Sequence, residues 1–210
     1  MKSHAWVVAR FAVLSSATSL LLVTSAAHAQ VLSGGALVKA LRHGGYVIVM
    51  RHASSPRDKP DQQTANADNA NHERQLDEAG RASATAMGQA LRKLNIPVGE
   101  VFTSPTYRAL ETVRLLQLPA PQTIAELGDG GQSMRGVTEA QSAWLQKKVR
   151  HLPTGMNTII VTHSPNMTHA FPQSTSGLAD GEALVFGSDA KGGATLIARI
   201  KIEEWPQMRP

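Results

Sequence analysis

Two short apolar runs constrain the fold of this chain more than any other feature of its sequence. Residues 46–50 (YVIVM) and 157–161 (NTIIV) are rich in β-branched side chains. Uninterrupted runs of this kind are typical of strands buried on both faces, as in a parallel sheet. Each run ends next to a histidine, because Arg51 and His52 follow the first and His163 closely follows the second.

Helical patterns alternate with the strands. Helices are predicted at residues 31–45, 76–94, 104–116 and 137–151 and again from Ser164. The signals are helical spacing of apolar residues or a serine–proline pair at the helix start. Further short strands are predicted at residues 100–103, 182–186 and 194–202. This alternation predicts an α/β fold, a three-layer sandwich whose mainly parallel central sheet is flanked by helices. Residues 30–210 hold no repeat or internal linker, and we expect them to form one domain.

Residues 1–29 have the layout of a secretory signal peptide. Lys2 and Arg10 precede an uncharged, mostly apolar stretch at residues 11–25, and small residues lead up to Ala29. The apolar stretch is short for a membrane span, which takes roughly 20 apolar residues. We therefore expect cleavage after Ala29, a periplasmic or secreted protein, and no stable membrane insertion after cleavage.

Composition narrows the classes of function. The chain has 21 Lys and Arg against 16 Asp and Glu, with no basic run long enough for a nucleic-acid groove. It has no cysteine, so disulfides, thiolate metal sites and cysteine nucleophiles are excluded. His163 and His169 are six positions apart, which does not put them on one helix face as a metal-binding pair requires. We expect no nucleic-acid partner, no metal and no cofactor.

Four side chains are predicted to meet at one edge of the sheet. The carboxyl ends of parallel strands share an edge, where α/β folds bind their ligands. Arg51, His52 and His163 lie at such strand ends, and Arg108 lies in the first turn of the helix that opens at Ser104. Arginine matches phosphate oxygens, helix N-termini add N–H groups, and histidine can carry a phosphoryl group. The set predicts a phosphate pocket with a histidine nucleophile that needs no metal.

These residues also carry a resemblance to a known family. The matching segments are residues 49–53 (VMRHA), 73–76 (ERQL) with Gly80, 104–112 (SPTYRALET), 161–163 (VTH) and 181–183 (GEA). In this order they resemble the histidine phosphatase superfamily, which has the phosphoglycerate-mutase-like fold, over roughly residues 44–200. The other branch of that superfamily has an acidic residue directly after the second histidine, where this chain has Ser164. The sequence is therefore identified as an exported bacterial member of branch 1.

The resemblance implies roles for single residues. His52 matches the nucleophile, and Arg51, Arg108 and His163 match the residues that hold the phosphate. First-branch members usually have a general acid, a glutamate, after the next strand, and Glu126 is at that kind of position.

Other assignments stay open at this point. Asp129 and Glu182 are alternatives to Glu126 as the general acid, and Arg57 and Asn166 are candidates for the lining of the phosphate pocket. The family's usual Arg-His-Gly is Arg-His-Ala here, with Ala53 in the third position.

The predicted function is hydrolysis of phosphomonoesters through a phosphohistidine on His52, without a metal. The substrate class is a phosphorylated small molecule or an envelope component. Three alternatives remain: a phosphoglycerate-mutase-like phosphotransferase, a non-catalytic phosphate-ester-binding protein on the same scaffold, and a metal-dependent hydrolase that uses several of the histidines. We expect the loops at residues 53–75 and 128–136 to determine specificity, because loops on a rigid rim usually do.

Overall fold

The computed structural model describes residues 31–56, 74–129, 137–189 and 191–210. The strands are β1 Val47–Arg51, β2 Val98–Thr103, β3 Gln122–Thr123, β4 Asn157–Thr162, β5 Ala183–Ser188 and β6 Ala194–Ile200. The helices are α1 Gly34–His43, α2 Glu78–Lys93, α3 Tyr107–Leu116, α4 Glu139–Arg150 and α5 Ser164–Ala170. Short 3-10 helices occur at Ala125–Leu127, Pro172–Ser174 and Ile202–Gln207. The predicted signal peptide and Arg57 lie outside the described residues.

The six strands form one mixed sheet in the order β3-β2-β4-β1-β5-β6. The pairs β1–β4, β2–β4 and β2–β3 are parallel, whereas β5 is antiparallel to both β1 and β6. The predicted α/β fold with a mainly parallel sheet is therefore confirmed. Because β1 and β4 are parallel neighbours with Arg51 opposite Thr162, the two histidines that follow these strands emerge side by side.

Helices cover both faces of the sheet, which gives the three layers. Every residue of β1 is buried, and successive residues face opposite sides. Ile48 and Met50 belong to an apolar cluster that includes residues of α1, α2 and α3. Val47 and Val49 belong to a second cluster with residues of α4 and α5. None of the described helices is both long and apolar enough to cross a bilayer.

The first turn of α2 is fixed to the segment that follows β1. Asp77, the N-cap residue, accepts a hydrogen bond from the backbone N–H of Gly80 and another from the hydroxyl of Ser54. These two hydrogen bonds hold the pKa of Asp77 below its usual value. A side chain at position 80 would collide with the backbone of Ser54, so only glycine permits this approach.

Element boundaries differ from the predictions in two instructive places. Ser104 was expected to cap α3, but the helix begins at Tyr107 with Thr106 as its N-cap residue. The hydroxyl of Ser104 instead accepts the N–H of Thr106 and contacts His163. The two-residue strand β3 was not predicted, because a strand of that length has no periodicity to detect.

Candidate active site

The four residues predicted to form the pocket do come together at the carboxyl edge of the sheet. Arg51 ends β1, His52 follows it, and His163 follows β4 directly. The backbone N–H of His52 donates to the carbonyl of Thr162 at 2.9 Å, which joins the two strand ends. The rings of the two histidines lie 5.2 Å apart between centroids, and Arg108 reaches both rings from α3. All four side chains are buried.

The hydrogen bonds of His52 determine which of its nitrogens can act. Its Nδ1 lies 2.8 Å from the carbonyl oxygen of Ala53. A carbonyl can only accept, so Nδ1 carries the hydrogen and Nε2 keeps its lone pair. Nε2 accepts a hydrogen bond from Nε of Arg108 at 3.3 Å, and a guanidinium nitrogen of Arg74 lies 3.5 Å away. The lone pair of a neutral imidazole therefore faces two permanent cations, the environment in which an incoming phosphoryl group would be bound.

Arg108 connects the two histidines to a carboxylate. One of its terminal nitrogens donates to Asp129 and lies 3.3 Å from Nδ1 of His163. The hydroxyl of Thr112, one turn further along α3, donates to the carbonyl of Arg108 and accepts the N–H of Ala53. The start of α3 is therefore fixed to the backbone directly after His52.

His163 is held by side chains rather than by the backbone. Its Nε2 lies 2.8 Å from the hydroxyl of Ser104 and 3.3 Å from that of Thr106. Its Nδ1 faces Arg108 and, at 3.5 Å, the carboxylate of Asp129. Because a hydroxyl can donate or accept, these contacts are compatible with either tautomer of His163.

Burial and nearby cations lower the pKa of both histidines well below 6.5. For His52 the largest cause is burial, followed by His163 and Arg108, and the hydrogen bond to Ala53 opposes them. For His163 the causes are burial and then the arginines of the pocket, Arg108 first. Both rings are therefore neutral near pH 7. A neutral ring at position 52 is what nucleophilic attack requires.

Arg51 and Arg74 complete the cationic side of the pocket. The guanidinium of Arg51 donates to the carbonyl of Leu178 at 3.4 Å and pairs with the carboxylate of Asp180. Arg74 was not among the predicted site residues. It belongs to the sequence 73–76 that contributed to the resemblance, three residues before Asp77, the N-cap residue of α2. Its place in that sequence was the signal that could have identified it.

The three candidate acids lie in different surroundings. Asp129 contacts Arg108 and His163 inside the cluster. Glu182 is buried and pairs with Arg199. Glu126 is exposed in the 3-10 turn after β3, where Leu127 occupies the buried place. Among these three carboxylates, the described structure therefore brings only Asp129 to the histidines.

Asn166 contacts the loop before Asp129 rather than the histidines. Its buried amide donates to the carbonyl of Gly128 at 2.8 Å and to that of Glu126 at 3.3 Å. The hydroxyl of Thr162 donates to the carbonyl of Leu127 at 2.7 Å. These bonds fix the backbone that carries Asp129. Across the described ranges, no group of three or more His, Asp or Glu side chains is arranged to hold a metal ion.

Comparison with known proteins gives one family and a set of similar folds. Residues 47–129 match the histidine phosphatase superfamily (branch 1). No curated protein matches the chain. The structure of the protein histidine phosphatase SixA complexed with tungstate is 18% identical, with a TM-score of 0.54 over 76% of this chain and 98% of that one. Bacillus stearothermophilus YhfR is 16% identical, with a TM-score of 0.51 over 72% of this chain and 94% of that one.

At these identities the solved structures demonstrate a shared fold. The family match adds sequence evidence over β1 to Asp129, a range that includes three of the four predicted pocket residues. Residues 47–129 are therefore similar in sequence to branch 1 of the histidine phosphatase superfamily, and the solved structures have the same fold.

Proposed function

We propose that the protein is a phosphomonoester hydrolase in which His52 carries the phosphoryl group between two displacement steps. One observation carries this proposal. The buried ring of His52 has its Nδ1 bonded to the carbonyl of Ala53, so the Nε2 lone pair faces the guanidinium groups of Arg108 and Arg74. A nucleophile in a fixed tautomer, surrounded by cations, suits attack on an anionic phosphorus centre.

In the first step the phosphoryl oxygens bind Arg51, Arg108 and His163, with Arg74 as a further cation. Guanidinium groups suit this task because they bind oxyanions through charge-assisted and often bidentate hydrogen bonds. Nε2 of His52 then forms a bond to phosphorus as the bond to the leaving oxygen breaks. A proton passes to that oxygen, and the alcohol leaves.

In the second step water attacks the phosphohistidine. The new oxygen–phosphorus bond forms, the nitrogen–phosphorus bond breaks, and the proton of the water passes to a carboxylate. Inorganic phosphate leaves and His52 returns to its neutral form. We assign the proton transfers to Asp129, because its carboxylate contacts Arg108 and His163, whereas Glu126 is exposed. The carboxyl of Asp129 gives its proton to the leaving oxygen in the first step, and its carboxylate takes up the proton of the water in the second.

The test is turnover of p-nitrophenyl phosphate by the chain from Gln30, with and without EDTA, beside His52→Ala. We expect turnover that resists the chelator and vanishes in the variant. His169→Ala is the matched control, because His169 is an exposed histidine that bonds to Ser142 away from the pocket. Loss of activity with EDTA would instead support a metal-dependent hydrolase. Full activity of His52→Ala would overturn the assignment of the nucleophile.

A second measurement separates hydrolysis from the related alternatives. Rapid acid-free quenching with a ³²P-labelled substrate should trap a base-stable, acid-labile label on wild type and none on His52→Ala. A phosphotransferase of the mutase type would need a phosphorylated primer before it turned over and would pass the label to a second substrate. A non-catalytic binding protein would bind phosphate esters and release no phosphate.

Export and substrate class belong to the same proposal. We propose that residues 1–29 direct export and that the mature chain acts on phosphorylated small molecules or envelope components outside the cytoplasm. N-terminal sequencing of protein from a periplasmic extract should begin at Gln30; a first residue of Met1 would contradict cleavage. A panel of sugar phosphates, phosphorylated envelope glycolipids and phosphohistidine-containing protein, compared by kcat/KM, would then identify the substrate class.

A further inference from the structure

The segment 176–182, which leads into β5, contacts the end of β1. The carbonyl of Leu178 and the carboxylate of Asp180 contact the guanidinium of Arg51. The N–H of Gly181 donates to the carbonyl of His52 at 3.0 Å, and the N–H of Arg51 donates to the carbonyl of Glu182 at 3.1 Å. The segment therefore contacts the backbone of Arg51 and of His52, and also the side chain of Arg51, which is proposed to bind phosphate.

An ion pair between buried Glu182 and partly exposed Arg199 holds this segment in turn. Arg199 of β6 donates to the carboxylate of Glu182 through two nitrogens, at 2.8 and 2.7 Å. The side chain of Glu182 is only 5% exposed, and its second oxygen accepts the N–H of Ala179 at 2.8 Å. A third nitrogen of Arg199 donates to the carbonyl of Ser176 at 3.0 Å. One guanidinium thus connects both ends of the segment to β6.

In the described part of the chain, the side chains of Glu182 and Arg199 bond to each other and to the backbone of the segment, and not to a histidine of the pocket. A planar guanidinium that makes three such bonds fixes the backbone in one geometry. Removing it would leave the carboxylate of Glu182 buried without its cation, which is unfavourable. The backbone around Leu178 and Asp180 would then move, and Arg51 would lose the partners that orient it.

We propose that Glu182 and Arg199 are positioning residues for Arg51, and that they set the affinity of the pocket for phosphate from outside it. This inference rests on the proposed function, because it gives Arg51 a phosphate-binding role. The pair acts through the segment 176–182 and not by contact with substrate. Its loss is therefore expected to change phosphate affinity more than the rate of the chemical step.

The experiment measures binding of inorganic phosphate to the whole protein by titration calorimetry, together with KM and kcat for p-nitrophenyl phosphate. For Arg199→Met we expect Kd and KM to rise about tenfold, a difference of one decade in affinity, with a much smaller change in kcat. Arg199→Lys keeps the positive charge but not the planar guanidinium, so its Kd and KM should lie between those of Arg199→Met and wild type. Arg114→Met is the control, because Arg114 forms a similar two-nitrogen pair with Glu111 on the exposed side of α3.

A double-mutant cycle separates positioning from general destabilisation. If the pair acts through Arg51, Arg199→Met should have little further effect on Kd in the background of Arg51→Lys. Additive effects, or a Kd of Arg199→Met equal to that of wild type, would overturn the inference while leaving the proposed function intact. If wild type hydrolyses no phosphomonoester but the Kd for phosphate still rises in Arg199→Met, the hydrolase proposal is overturned and the positioning role is supported. A wild type that binds no phosphate would overturn both.

Discussion

The ends of β1 and β4 each bring one buried histidine to the pocket, but the two rings are held in different ways. His52 is bonded to a backbone carbonyl, that of the next residue in the chain. His163 is bonded to the hydroxyls of Ser104 and Thr106, which belong to the segment between β2 and α3. Both rings are neutral because burial lowers the pKa of each, so the difference between them lies in hydrogen bonding.

This difference indicates different roles for the two histidines in the proposed reaction. A carbonyl accepts in every circumstance and therefore keeps the ring of His52 in one tautomer, with one nitrogen ready to attack. Hydroxyls can reverse their role, so the ring of His163 can donate to a phosphoryl oxygen at one stage and accept at another. The proposed nucleophile is at the end where the tautomer is fixed, and the adaptable ring is beside it. The following predictions test this comparison, from the largest expected effect to the smallest.

Replacing His52 should have the largest effect. In His52→Asn the attacking nitrogen is gone, so no phosphoenzyme can form and kcat should fall by about 10⁴-fold or more, as for other nucleophiles that act in a unit. Single-turnover quenching with labelled substrate measures both quantities. A labelled enzyme in this variant would mean that the two strand ends have the opposite roles.

Replacing His163 should slow the reaction without abolishing the intermediate. In His163→Asn the pocket loses one group that binds the transferring phosphoryl, and kcat should fall by about 10²- to 10³-fold, the usual range for one donor to a developing charge. The label on His52 should still be trapped, at a slower rate. Complete absence of label at long times, in a variant that still binds phosphate, would contradict the assignment of His52 as nucleophile and His163 as an assisting group.

Removing the nearest hydroxyl of His163 should have a modest effect. Ser104→Ala removes the hydroxyl's bond to His163 and its bonds to Thr106, but it leaves the hydroxyl of Thr106 as a partner of the ring. We expect kcat/KM to fall about fivefold, in keeping with a net contribution of about 1 kcal/mol from the bond to His163. Ser142→Ala is the matched control, because Ser142 makes a 2.8 Å hydrogen bond to His169 outside the pocket. Equal losses in the two variants would mean that the hydroxyl of Ser104 has no special role.

The smallest effect concerns pH. Since the pKa of His52 is lowered, the acid limb of kcat/KM should lie below pH 6.5, where a free histidine would already be protonated. His163 is the second largest cause of that lowering, so His163→Asn should move the limb upward. A pH–rate profile of both proteins measures the displacement. A wild-type limb above pH 6.5 would contradict a neutral, buried nucleophile.

The same lowering of pKa makes stability depend on pH. The folded protein holds the two rings neutral, whereas the unfolded chain protonates them near pH 6.5. The free energy of unfolding is therefore expected to be maintained above pH 6.5 and to decrease as the pH falls below it towards the folded pKa values. Urea unfolding between pH 7 and pH 5 would measure the decrease, which should be smaller in His163→Asn.

Much of this site could be predicted from the sequence, because its strands are buried on both faces. The apolar runs before Arg51 and before Thr162 have no other good interpretation, and parallel pairing brings their ends together. Arg108 could be predicted as a site residue because it lies at the start of a helix that follows a strand. These predictions depend on local pattern and on the topology of α/β folds, which a single sequence contains.

The remainder depended on tertiary contacts that no local pattern encodes. The start of α3 shifted because the hydroxyl of Ser104 bonds to His163, a residue on another strand. The choice between Glu126 and Asp129 depended on a 3-10 turn that buries Leu127 and is fixed by bonds from Thr162 and Asn166. These partners lie far along the chain, and their pairing is decided by the folded backbone.

The parallel pairing of β1 with β4 also has a consequence for the order in which a newly made chain acquires its chemistry. Position 52 leaves the ribosome long before position 163, an interval of roughly 5–20 s at ordinary rates of synthesis. Until β4 follows, β1 lacks the parallel neighbour that lies beside it in the sheet. A nascent or truncated chain that ends before β4 thus contains His52 but not the second ring or the joined strand ends. Such fragments should have no activity, and activity of the protein should report translation at least through β4 and His163.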